Sequence, residues 1–151
     1  MKATRRTALK TTGAFATLVS LGIVTQQQAM AAMDRAGFDA KSLADALKAV
    51  GGEAATNDQV SVVSPDIAEN GAVVPVGAVS RIPNTSEIYL LVEKNPSPLA
   101  AKFMIPAGTA ADVQTRLRMG QSTNVVAVVK ADGKLFSAVK ETKVTLGGCG
   151  G

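Results

Sequence analysis

A two-sheet antiparallel β-sandwich of about seven short strands, preceded by one short helix, is the fold this chain predicts. Three observations carry the prediction. Apolar and polar residues alternate with period two in several stretches after residue 58, the pattern of half-buried strands. Turn signals recur about every dozen residues, among them Asn70-Gly71, Pro83-Asn84, Asn95-Pro96-Ser97-Pro98 and Asp132-Gly133. The strand-helix alternation that a parallel sheet requires is absent.

The elements follow in order. Residues 39–50 read as a short helix: Leu43, Ala46, Leu47 and Val50 fall on one face, Asp39 can cap the start, and Gly51-Gly52 ends it. Strands are then expected over 59–64, stopped by Pro65, and over 73–79, where Pro75 points to an edge position or a bulge. Residues 87–93 form a clear strand with Ile88, Leu90 and Val92 on one side, and 99–105 the next. Over 112–119, Val113, Thr115, Leu117 and Met119 face one way and Gln114, Arg116 and Arg118 the other. The nearly unbroken apolar run 124–130 suits a strand buried on both faces. Asp132-Gly133 is a two-residue hairpin signal, and 134–146 resumes as the last long strand.

Two flanking segments are of another kind. Arg5-Arg6 in Thr4–Lys10, a mildly apolar stretch over 11–24 and the small-residue Ala29-Met30-Ala31 together describe a twin-arginine export signal, removed after Ala31. The apolar stretch falls short of the roughly 20 residues a membrane span needs. The expected organisation is therefore a signal over 1–31, a β-sandwich domain over 32–146 and an arm over 147–151. Of the 16 basic residues, four lie in the signal, which has no acidic one, so the exported chain carries 12 against 12. The basic character belongs to the signal and gives no reason to expect nucleic acid or membrane as a partner. Export implies an oxidising compartment.

The arm holds the chemistry. Cys149 is the only cysteine of the chain, and Gly147, Gly148, Gly150 and Gly151 surround it. Glycines offer nothing to bury and adopt almost any backbone conformation. The expectation is a soft nucleophile on a thin, flexible tether rooted in a strand, able to thread another protein's active site as nearly bare backbone. The rest of the sequence offers no catalytic apparatus. It has no histidine, so neither a Ser-His-Asp triad nor a Cys-His pair can be assembled, and no metal or cofactor motif is evident. A covalent substrate carrier is expected, not an enzyme. Arg116 and Arg118 read as a solvated strand face, with contact to an anion or a partner as the alternative.

Several stretches together resemble one family. They are the Gly147–Gly151 tail, residues 65–76 (PDIAENGAVVPV), 95–99 (NPSPL), 115–119 (TRLRM) and 132–135 (DGKL). The chain resembles SoxY, the sulfur-carrier subunit of the periplasmic thiosulfate-oxidising Sox system. The resemblance implies an immunoglobulin-like sandwich in a heterodimer with SoxZ, with no cofactor of its own. It implies that the c-type cytochrome SoxXA couples thiosulfate to Cys149, that the manganese hydrolase SoxB releases sulfate, and that the sulfane dehydrogenase SoxCD, where present, oxidises the remaining sulfur. It also gives the signal a reason, since the twin-arginine route carries folded cargo and a signal-less partner can travel with it. Ala8 departs from the Phe that many twin-arginine signals carry at this point. Two other readings stay open: an exported binding module whose tail forms an intermolecular disulfide, and a ubiquitin-like carrier that uses the Gly150-Gly151 carboxylate.

Overall fold

The computed structural model describes Arg35 and residues 37–145. The export signal with Arg5 and Arg6, and the arm with Gly147, Gly148, Cys149, Gly150 and Gly151, lie outside the described residues. The chain divides after Ala36 into two units, and all the elements below belong to the second.

Among the described residues helix α1 (Leu43–Val50) is followed by nine strands: β1 (Ala55–Thr56), β2 (Val60–Val63), β3 (Ile67–Ala68), β4 (Val74–Ser80), β5 (Thr85–Val92), β6 (Leu99–Met104), β7 (Asp112–Leu117), β8 (Thr123–Ala131) and β9 (Lys134–Val144). They form two sheets. The larger runs β1-β9-β8-β5-β6, with β3 also paired to β9, and the smaller runs β2-β4-β7. The result is the expected mostly-β, immunoglobulin-like sandwich. Seven strands of four or more residues match the seven expected, each within about two residues at its start and end.

Three details differ from expectation. The two shortest strands, β1 and β3, were not anticipated and pair with β9 in parallel, Ala55 opposite Phe136 and Ile67 opposite Lys143, so the larger sheet is not purely antiparallel. The helix begins at Leu43 and is capped by Ser42, not Asp39. The Asp45 N–H donates to Ser42 Oγ at 3.1 Å, and the Ser42 hydroxyl donates to the Asp45 carboxylate at 2.7 Å. Pro75 sits in the central strand of the smaller sheet. It is tolerated because β2 pairs only with Gly77–Ser80, which leaves β4 without a neighbour on that side at Pro75.

The sandwich interior joins Val74, Val76 and Ala78 of β4 with Ile88, Leu90 and Val92 of β5 and Val125, Ala127 and Val129 of β8. A second apolar layer lies on the outer face of the larger sheet. There Ala46 and Val50 of α1 cover Tyr89, Leu91, Leu99, Val126 and Val128. That explains why β8 lacks a polar side: its alternate residues enter the two layers. Each buried Val, Leu or Ile among them contributes about 1.5–3 kcal/mol by leaving water. Gly51 ends α1 at φ 135°, and the Gly52 N–H returns to the Leu47 carbonyl at 2.8 Å. Asp132 and Gly133, at φ 50° and 74°, make the tight β8–β9 hairpin that their sequence predicts.

Candidate functional site

Because β9 ends at Val144, Thr145, the last described residue before Cys149, lies at one pole of the sandwich. This root is held from two sides. On the outer edge β3 runs alongside it, so that the Lys143 N–H donates to the Asp66 carbonyl at 2.9 Å and the Thr145 N–H to the Ala68 carbonyl at 3.1 Å. On the other side the Val144 N–H donates to Ser122 Oγ at 2.9 Å. A Lys140–Asp66 ion pair at 3.0 Å ties the segment before β3 to the same strand, and the buried Thr142 hydroxyl meets that of Ser64 at 2.9 Å.

The loops at this pole brace one another. The Met119 N–H donates to the Gly71 carbonyl at 2.7 Å, and the Asn95 side-chain amide donates to the Arg118 carbonyl at 2.8 Å. Gly71 lies so close that a Cβ would come within 2.4 Å of the Met119 carbonyl oxygen and 2.8 Å of a Val144 methyl. Only glycine fits between the Met119 loop and the arm root. Asn70 shapes the turn before it by accepting the Ala72 N–H at 3.0 Å. Three of the four internal stretches that prompted the family resemblance, 65–76, 95–99 and 115–119, therefore meet at the root of the arm, while 132–135 forms the hairpin at the other pole.

The surface beside the root exposes apolar side chains next to Glu69 and Asn70. Ile67 is 59% exposed and Val73 50%, and both line a hollow of about 280 Å³ with Pro65 and Pro75. Sequence reasoning did not find this feature, since the period-two pattern says which residues alternate and not which stay uncovered. Arg116 and Arg118 are exposed, as the alternation predicted. Among the described residues no group of three or more His, Cys, Asp or Glu is placed to hold a metal ion, and no helix is long and apolar enough to cross a membrane.

One charged cluster was also missed. On the outer face of the larger sheet Glu87 accepts the Tyr89 hydroxyl and lies 3.4 Å from both Lys102 and Lys130. Burial pushes the Glu87 carboxyl up, but the Tyr89 hydrogen bond and the two lysine charges outweigh it and hold the group below its ordinary value. Lys102 also lies 5.7 Å from the centre of the Tyr89 ring. The signal was in the sequence, as Glu87 and Tyr89 are two apart on one strand, but the lysines arrive from β6 and β8.

Comparisons with known proteins bear on this geometry. The model of the SoxY family, described as sulfur oxidation protein SoxY, matches residues 46–149. Among solved structures, the sulfur carrier protein SoxY from Chlorobium limicola f. thiosulfatophilum is 38% identical, with a TM-score of 0.64, over 71% of this chain and 95% of that one. The human F-spondin reeler domain gives a TM-score of 0.38 at 12% identity, over 62% of this chain and 93% of that one. No curated protein matches. With its sandwich, its braced arm root and a family match that runs to the position of its only cysteine, the chain belongs to the SoxY family, the carrier proteins of sulfur oxidation.

Proposed function

We propose that Cys149 is the attachment point for thiosulfate-derived sulfur and that this chain presents the adduct to the enzymes of thiosulfate oxidation without catalysing any step itself. The observation that carries the reading is the coincidence of the family match, which extends to residue 149, with the only thiol of the sequence. The braced root adds support, because a tethered substrate is useful only if its anchor is rigid.

The chemistry balances as follows. Loading joins the Cys149 sulfur to the sulfane sulfur of thiosulfate. A new S–S bond forms, the thiol proton leaves to solvent, and two electrons pass to an acceptor, for which a c-type cytochrome such as SoxXA is suited. Hydrolysis then adds water to the terminal sulfonate, releases sulfate and leaves a persulfide on Cys149, the step for a hydrolase such as SoxB. A dehydrogenase such as SoxCD then oxidises the outer sulfur to a sulfonate, with three oxygens from water and six electrons passed to an acceptor, and a second hydrolysis releases it as sulfate and regenerates the thiol. A heterodimer with SoxZ and export to the periplasm through Arg5-Arg6 complete the proposed setting.

Cys149→Ser tests the attachment point. In a reconstituted thiosulfate-oxidising mixture the variant is expected to support no turnover. Retained activity would instead identify a carboxylate carrier.

A further inference from the structure

Four residues lead from Thr145, whose backbone is fixed to Ala68, to Cys149. Fully extended, they span about 14 Å at most. A protein that takes the Cys149 sulfur into a recessed active site must therefore bring the lip of that site close to the Thr145 root, since every residue inside the entrance is lost to reach. What stands beside the root is the hollow of Pro65, Ile67, Val73 and Pro75. Its floor is stiff, because β3 is paired with β9 and Gly71 is wedged against Val144 and Met119. The exposed Glu69 and Asn70 line it as well, and Asp66, next to Ile67 in the chain, is paired with Lys140. Two β-branched side chains at least half in water, on a stiff surface that also carries Glu69 and Asn70, have the character of an interface with apolar and polar parts.

We propose that the Ile67–Val73 hollow is the docking surface for the enzyme that couples thiosulfate to Cys149, which seats an apolar lip on it. The proposal rests on Cys149 being the carrier thiol. An enzyme seated there covers the Thr145 root, so it must leave before another can engage Cys149. Docking by apolar contact also makes the encounter only weakly dependent on salt.

The test uses the full mature chain in its native complex and the purified enzyme that couples thiosulfate to it. Ile67→Asp and Val73→Asp are compared with Met104→Asp, a change at an equally exposed apolar residue at the opposite pole. Ile67→Ser serves as a milder second variant. Non-enzymatic loading by tetrathionate provides the reference: the Cys149 thiolate attacks a central sulfur, the central S–S bond breaks, a new one forms, and thiosulfate departs with the electron pair. The expected result is a fall of about tenfold in enzymatic kcat/KM, through KM, for each hollow variant. Met104→Asp and all tetrathionate reactions stay at the unaltered rate. Equal enzymatic rates for the hollow variants and Met104→Asp would overturn the docking proposal alone. If the unaltered chain is loaded by tetrathionate but never by enzyme and thiosulfate, the carrier reading falls, and the docking proposal with it.

Discussion

Glu87 shows how a single residue makes this fold sensitive to acid. Its carboxylate is favoured in the folded state by Tyr89, Lys102 and Lys130, so its folded value lies below its unfolded one. The unfolded chain then binds more protons in acid, and the contribution of Glu87 is complete above the ordinary glutamate range of about 4.3 and lost as pH falls through the lower folded value. Replacing Glu87 by Gln is expected to flatten the decline of urea midpoints below about pH 4.5. An unchanged slope would show that other carboxylates set the limit. Gly71 makes the second prediction at this scale. Gly71→Ala forces a methyl group against the Met119 carbonyl and Val144 and is expected to cost about 1–3 kcal/mol in chemical unfolding. Amide exchange at Val144 and Thr145 should quicken selectively, since these are the residues the glycine lets pack.

Among the elements, the helix and the seven longer strands could be read from the sequence because each buries one face, or in β8 both, and so writes a period into its residues. The two strands that escaped, β1 and β3, have two residues each, too few to show any period, and exist only because β9 passes beside them. The helix cap was misplaced for a local reason. Asp39 and Ser42 are both competent caps, and the reciprocal Ser42–Asp45 bonds decide between them. Ser42→Ala is therefore expected to cost about 1 kcal/mol, whereas Asp39→Ala should cost little, as thermal or urea unfolding would show. Since α1 covers Leu91, Leu99 and Val126 rather than the arm root, neither substitution should change the loading of Cys149.

For the whole molecule, the candidate site was legible where chemistry is carried by residue type and illegible where it is carried by the backbone. A single cysteine among glycines announces itself. The carbonyls of Asp66 and Ala68 that hold the root do not, because every residue has one, and the exposure of Ile67 and Val73 depends on what the fold leaves uncovered. In the proposed reading the sandwich supplies a stiff anchor for the arm, and Ile67 and Val73 beside its root supply the seat for a partner. The central claim is that Cys149 holds thiosulfate-derived sulfur in the cell. The most direct measurement is mass spectrometry of the protein isolated from thiosulfate-oxidising cells, read on the tryptic peptide Val144–Gly151. Thiosulfonate or persulfide adducts on that peptide, removed by a thiol reductant, are the predicted result. Only free thiol or symmetric disulfide dimers, with thiosulfate supplied throughout, would contradict it.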